Sequence, residues 1–208
     1  MLISLSQPQV VKVEDTGDFF KLVQILNNPV TNRAYCAKCL GDLRLQKKRT
    51  SFGMVVYHIP IRNNEGLLFY MSNKQIEYFV RYAESPSLTH TEFKSLKQAK
   101  IWRASESQPS KDLLPYVFFN VLMKRFGRMV TDEVQTDGGR RMWNNFVFDE
   151  AFARNFRVYW LDVSKEIPEV HEIPNVKVFK MAIPMIWGTA EHFKSNLVLI
   201  SKDRLERS

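Results

Sequence analysis

The sequence predicts an α+β fold, a single mixed, largely antiparallel twisted sheet with helices on both faces. Three observations lead there. Between residues 52 and 103, short apolar runs are separated by turn residues, the pattern of successive hairpins. From Asp112 onward the pattern changes to alternation of helix and strand. The 208 residues are 45% apolar and 25% charged, with no internal repeat, low-complexity segment or composition break, so one domain over 1–208 with a real core is expected.

The elements follow in chain order. Residues 10–13 alternate weakly and read as a first strand. Thr16 or Asp18 can cap a helix over 19–26, where Phe20, Val23 and Leu26 recur at helical spacing, and Asn27, Asn28 and Pro29 end it. Residues 52–61 form a buried strand centred on Val55, Val56 and Tyr57, and 63–66 turn the chain. Residues 67–71 return as the second arm of a hairpin. A third arm, 75–82, sets Ile76, Tyr78, Val80 and Tyr82 against Gln75, Glu77, Phe79 and Arg81. Residues 85–91 read as a polar turn and 97–103 as a strand.

Asp112 can cap a helix running to Phe126, with Pro115 in its first turn, an apolar face built on Val117, Phe118, Val121 and Leu122, and Gly127 as its stop. Residues 128–132 make a short strand. Thr136 or Asp137 caps the next helix, about 139–154, carrying Met142, Trp143, Phe146, Val147 and Phe152 inward. Residues 158–163 are almost continuously apolar, as a central strand requires. Beyond Pro168 and Pro174, residues 176–186 and 196–201 read as two late strands.

Lys and Arg number 30 against 22 Asp and Glu, a net charge of +8 that points to an acidic partner without bearing on the fold. The densest basic run is Arg44, Lys47, Lys48 and Arg49, preceded by Arg33 and Lys38. It is the patch expected to contact phosphates if nucleic acid binds, and it also reads as a solvated strand edge, where Lys blocks edge pairing. No helix-turn-helix, zinc finger or aromatic-and-basic single-strand motif accompanies it, so loose electrostatic association is expected and sequence readout is not.

Cys36 and Cys39 are the only cysteines and stand as Cys-Ala-Lys-Cys. A tetrahedral zinc site needs four ligands, and His58, His90, His171 and His192 would have to converge from far along the chain. A thioredoxin-like pair would open a helix after a strand, in an α/β frame that this segment does not show. The pair reads as two reduced thiols beside a turn ending at Gly41, with a zinc site shared across a dimer left open, and no metal is expected within the chain. Residues 1–9 lack the basic start and apolar stretch of a secretory signal, and no apolar run approaches the ~18 residues of a membrane span. An intracellular protein without a membrane span is the expectation.

Residues 131–143, Thr-Asp-Glu-Val-Gln-Thr-Asp-Gly-Gly-Arg-Arg-Met-Trp, have a plain structural reading. Thr131 and Asp132 end a strand where side-chain oxygens can accept from free backbone donors, Gln135 and Thr136 serve the helix start, Gly139 permits close packing and Trp143 anchors the core. The same stretch resembles a Thr-Asp, Gln-Thr, Gly, Trp signature of bacteriophage GNAT-like proteins, which have the acyl-CoA N-acyltransferase fold. The resemblance covers about 65–201 and leaves about 1–64 as an unmatched N-terminal extension. It implies that Lys100-Ile101-Trp102-Arg103 and the helix from Leu113 flank an acyl-CoA site.

An active member of that family holds the CoA pyrophosphate on backbone N–H groups at a helix start, with a loop of the type Arg/Gln-x-x-Gly-x-Gly/Ala. Here the corresponding loop, 104–112, has no glycine, and none occurs between Gly66 and Gly127. Glu106 and Asp112 set negative charge where phosphates would lie, with Arg103, Ser105, Ser107, Ser110 and Lys111 left to hold a cofactor if acetyl-CoA or another acyl-CoA binds. Acyl transfer further needs a base and a donor to the departing thiolate. Glu77, Tyr78, Tyr82 and Tyr159 sit on strands where such groups could stand, but Tyr is common in strands in any case. His90 and His192 lack a carboxylate at dyad spacing.

The expectation is therefore a phage-encoded GNAT-fold protein with a degenerate acyl-CoA site, no bound cofactor and a non-catalytic role with a phage or host protein, in the virion or the host cytoplasm. Two alternatives stay open: an active N-acyltransferase with an atypical CoA loop, and a basic nucleic-acid-associated module. The enzyme question is undecided by sequence.

Overall fold

The computed structural model describes residues 19–61, 65–85, 88, 93, 96–104, 109–131, 137–165, 167–189, 192 and 195–205. The expected first strand at 10–13, most of the 85–91 turn and Asp132 lie outside them. The chain begins with α1 (Phe19–Asn27) and α2 (Pro29–Leu40), then β1 (Gln46–Arg49), β2 (Val55–Pro60), β3 (Gly66–Ser72), β4 (Gln75–Glu84) and β5 (Lys97–Arg103). A long helix follows: α3 (Pro109–Pro115), a π-helical stretch (Tyr116–Leu122) and a last turn, α4 (Met123–Phe126). After β6 (Arg128–Val130) comes a second helix of the same build, α5 (Asp137–Met142), a π stretch (Trp143–Val147) and α6 (Phe148–Ala153). The chain closes with β7 (Arg157–Asp162), β8 (Glu169–Ile173), α7 (Val176–Trp187) and β9 (Asn196–Ser201).

The nine strands among the described residues join one sheet in the order β1-β2-β3-β4-β5-β6-β9-β7-β8. Every pairing is antiparallel except β5 with β6. The fold class read from the sequence, a mixed and largely antiparallel α+β sheet with helices, is what the molecule has.

Alternation along the strands sorts the core into two faces. Val56, Val80, Met129, Val158, Val198 and Ile200 point to the side covered by the α3–α4 helix, the α5–α6 helix and α7. On the opposite side, Ile59, Leu67, Phe69 and Phe79 pack under α1 and α2, while Val130, Leu161, Leu197 and Leu199 pack under Leu88, Phe93, Leu96 and the C-terminal Leu205. The segment that the family resemblance leaves out is thus no appendage. Its α1, α2, β1 and β2 supply one end of the sheet and half of its second cover.

Four local readings are corrected. Residues 176–186 form the helix α7 and not a strand. Asn175 caps it, accepting from Val178 N at 3.0 Å; the buried Phe179, Ile186 and Trp187 recur at helical spacing, and Pro184 has no place in a central strand. The strand between the prolines is β8, an edge strand paired with β7. Asn28 and Pro29 do end α1, but they also start α2: the Asn28 side chain accepts from Val30 N at 2.9 Å, and proline suits the first helical position. The α3–α4 helix begins at Pro109, so Asp112 is not its cap and Pro115 lies inside; the π stretch opens at the next residue, where a missing N–H and a crowding ring favour widening.

The alternation expected along β4 also breaks. Tyr70 faces Tyr78 while Met71 faces Ile76, so Glu77 is the extra residue of a β-bulge. Ile76 therefore turns to the α2 side, and Tyr78 and Val80 turn to the other. At that bulge the buried Asn32 of α2 closes a three-bond clip: its Nδ2 donates to Leu26 O at 2.8 Å and Ile76 O at 2.9 Å, and its Oδ1 accepts from Ile76 N at 2.7 Å. Among the described residues no helix is long and apolar enough to cross a membrane.

Asn32→Ala removes all three bonds and strands buried backbone groups, each costing about 1–3 kcal/mol. Urea unfolding of the variant should show a loss of roughly 2–4 kcal/mol, whereas the exposed neighbour Arg33→Ala should fall within about 0.5 kcal/mol of the parent.

Candidate functional site

The sheet forks at its one parallel pair. β5 and β6 are paired only at Lys97–Met129 and Gln98–Val130. Beyond that point β6 turns to β9: Thr131 N donates to Val198 O and Val198 N donates to the Thr131 hydroxyl, both at 2.9 Å. The Thr131 carbonyl, left behind at the crotch, accepts from the buried Gln98 side chain at 3.0 Å. Residues 99–103 of β5 then pair with β4 alone among the described residues. Among the described residues the result is a strand edge without a ladder partner at the carboxyl ends of two parallel strands, each followed by a helix. In open sheets such a switch point is where ligands bind.

Of the residues expected around an acyl-CoA, Arg103 is the exposed last residue of β5, opposite Tyr78. Ser105 and Ser107 lie outside the described residues, as do the side chains of Ser110 and Lys111. Within the signature, Thr131 is fully buried at the fork, and Trp143 packs edge-on against Phe118 at 5.3 Å between centroids.

The expected acid and base candidates are not brought together. Tyr159 is a structural pin, its hydroxyl accepting from Leu205 N at 3.1 Å. The Tyr78 hydroxyl is buried without a hydrogen-bond partner, and burial pushes its pKa far up, so it stays protonated. Glu77 is the bulge residue. Cys36 and Cys39 are both buried and free in the last turns of α2, just before the turn at Gly41; burial raises both thiols, Cys39 to about 12, so neither is a thiolate at neutral pH. No cluster of three or more metal-ligating side chains exists among the described residues.

The basic run 44–49 is divided by the geometry of β1. Arg44 precedes the strand and is engaged by Asp42 through Nε at 3.0 Å and a terminal nitrogen at 2.8 Å. Within the edge strand, Lys48 pairs with Val56 and Gln46 with His58, on the α3–α4 side. Lys47 and Arg49 pair with Tyr57 and Val55, and the Lys47 ammonium lies 5.9 Å from the Tyr57 ring centroid.

A cleft of about 370 Å³ opens between β1–β2 and the C-terminal half of the α3–α4 helix. Tyr116, Asn120 and Lys124 line it at four-residue intervals, with Val121 and Arg125 one step on, so a single helical face forms the wall. On the floor, the Tyr82 hydroxyl lies 2.8 Å from His58 Nε2, and His58 Nδ1 is 3.4 Å from Gln46 Oε1. In the neutral ring, Nδ1–H donates to Gln46 and Nε2 accepts from Tyr82, which satisfies all three groups. Burial first, then the Arg125 and Lys48 charges, lower the His58 pKa to about 4. Gly66 makes the arrangement possible, since a Cβ there would lie 2.3 Å from the Tyr82 hydroxyl.

No protein-family model matches the chain, and no curated protein or solved structure matches it. In the sequence Lys48 belongs to the basic run and Tyr82 to a strand, and nothing local joins them to Lys124 and Arg125. His58 was weighed only as a metal ligand. The signal that could have joined them is the spacing Tyr116, Asn120, Lys124 on one helix.

Gly66→Ala should displace the Tyr82 phenol, break its bond to His58 and cost about 1–3 kcal/mol in urea unfolding, as overpacking does. His58 gives a pH test. Folded His58 holds no proton down to about pH 4, whereas the unfolded residue takes one near 6.5. Between those values the unfolded chain binds more protons, so stability falls as pH drops from 6.5 towards 4. Allowing for solvent screening, the parent should lose about 1–2 kcal/mol more than His58→Gln between pH 7 and pH 4.5. Equal losses in the two proteins would refute the assignment.

Proposed function

We propose that the chain is a GNAT-like protein of the bacteriophage type whose acyl-CoA site is degenerate. It acts by binding a phage or host protein, in the virion or the infected host, and transfers no acyl group. The observation that carries this reading is the combination of an open fork with the sequence that follows it. β5 leaves the fork with a free edge and leads into a helix, the geometry an acyl-CoA chain could use. The intervening sequence, Ala-Ser-Glu-Ser-Gln-Pro-Ser-Lys-Asp at 104–112, has no glycine to let backbone amides approach a pyrophosphate and adds two carboxylates. Tyr159 is committed to Leu205, Tyr82 to His58 and Glu77 to the bulge, so these candidates are not assembled as a base and a donor.

One observation favours the second reading, an active N-acyltransferase with an atypical loop. The Tyr78 phenol, opposite the end of β5, is buried, protonated and without an acceptor, as a proton donor to a departing thiolate should be.

Thermal unfolding with and without acetyl-CoA separates the two. A ligand at 100 times its Kd adds about 2.7 kcal/mol, or roughly 5–10 °C for a chain of this size. We expect no shift that depends on the 104–112 loop. A shift of that size, abolished by Ser107→Ala with Lys111→Gln, and acyl transfer that Tyr78→Phe slows, would establish the enzyme instead.

A further inference from the structure

The cleft between β1–β2 and the α3–α4 helix lies away from the fork and is a site in its own right. We propose that it binds a phosphate-bearing ligand of mononucleotide size. Four basic residues line it, Lys47 and Lys48 from the edge strand and Lys124 and Arg125 from the helix; the Lys47 ammonium lies over the Tyr57 ring, which leaves Lys48, Lys124 and Arg125 as the three cations of the site. Among the described residues no aspartate or glutamate lines it, and none of these three cations makes an ion pair. Several basic side chains elsewhere are answered: Arg44 by Asp42, Lys97 by Glu84, Arg154 by Glu150 and Arg157 by Glu172. Positive charge is uncompensated where the surface is concave, the geometry that concentrates field on an anion.

The Arg125 guanidinium is held by rings, 5.2 Å from the Phe126 centroid and 6.0 Å from that of Tyr82. Stacking fixes its plane and leaves its N–H edge for an anion. Lys124 and Arg125 also complement the negative end of the helix, which accounts for part of their placement. Lys48 has no such role, being on a strand. The repulsion that lowers the His58 pKa comes from Arg125 and Lys48 together, so the two walls already share one field.

The rest of the cleft suits the body of a nucleotide. Val56, Leu68 and Val121 give an apolar floor, and the Asn120 amide and Tyr116 hydroxyl stand on the helical wall as groups able to hydrogen-bond a ligand. Its volume of about 370 Å³ is at the low end of small-molecule sites, which run roughly 300–1,000 Å³. A polymer tracking along β1 fits less well: Arg49 and the Lys47 ammonium belong to the opposite side of the strand and Arg44 is neutralised, so the basic run is no continuous stripe. The same phosphate chemistry could arrive as a free nucleotide or as the phosphorylated end of a strand.

The test uses the full chain in calorimetric titrations at low salt with 5′-AMP, adenosine, inorganic pyrophosphate, and one short single-stranded DNA with either a 5′-phosphate or a 5′-hydroxyl. Binding of 5′-AMP or pyrophosphate without binding of adenosine supports the proposal and indicates a free nucleotide. Preference for the 5′-phosphorylated strand over both its hydroxyl form and 5′-AMP supports it and indicates a strand end. Lys48→Gln and Arg125→Gln should each weaken the bound probe roughly tenfold or more, because each removes one charge-assisted hydrogen bond. Arg49→Gln, on the far side of β1, should leave it unchanged, and all three variants should melt within a few degrees of the parent.

Absence of binding by every phosphate-bearing probe overturns the site. So does equal weakening by Arg49→Gln and Lys48→Gln, which marks diffuse attraction. The site does not rest on the reading of the fork. Acetyl-CoA itself carries phosphates, and a shift abolished by Lys48→Gln but not by the loop substitutions reports the cleft alone.

Discussion

Gln98 and Thr131 set the geometry on which the rest of the molecule is arranged. At the crotch of the only parallel pair, the Thr131 carbonyl would normally accept from the next backbone amide of a continuing ladder. It accepts instead from the Gln98 side chain, while the Thr131 hydroxyl and amide bind Val198 on β9. A buried carbonyl cannot be left without a partner, so a side chain has to close the ladder if the strands are to part. With both residues inside the core, the parting is fixed and not a fluctuation. From it follow the insertion of β9 between β6 and β7, the free edge of β5, and the crossing of both long helices over the same face.

The helix after the fork is shaped by its own irregularity. Pro115 ends the regular α3 geometry, and in the π stretch the Met123 amide bonds Phe118 O, five residues back. A π turn nearly superimposes residues four apart, so Tyr116 and Asn120 fall into line on the β1–β2 side while Val117, Phe118 and Leu122 remain buried. Gly127, in the left-handed conformation that favours glycine, then stops the helix and turns the chain directly into β6. The cleft and the fork are therefore opposite ends of one helix, positioned by one proline and one glycine.

What was legible in the sequence were features whose physics is local. The hairpins around β3 and β4, the stop at Gly127, the burial of Trp143 and the apolar β7 all depend on neighbours within a few residues, and each came through. What failed depended on partners far along the chain. Val176, Val178 and Ile183 look like strand residues until Asn175 and Pro184 are read as cap and strand-breaker, and only packing of Phe179 against Phe148 decides the matter. The bulge at Glu77 is invisible in a period-2 pattern, and the Asn32 side chain that binds the backbone beside it, at Ile76, comes from forty-four residues away. The candidate site was least legible of all: residues 44–49 look like one patch as a string, but a strand sends alternate side chains to opposite faces.

That division changes how the excess charge should be understood. A net charge of +8 spread evenly would give weak attraction to any polyanion, and salt would erase most of it. Here Arg44, Lys97, Arg154, Arg157 and Lys165 are matched by carboxylates, which removes them from the balance that a partner feels at close range. The cleft keeps Lys48, Lys124 and Arg125 without a carboxylate partner among the described residues, beside a histidine held neutral first by burial and then by the Arg125 and Lys48 charges. Self-repulsion of that kind is stable in a folded chain only because the aromatic and apolar contacts of Arg125, Tyr82 and Phe126 hold the walls in place. An anion entering the cleft would offset that repulsion. The same number of charges scattered over an open surface could not offer it that.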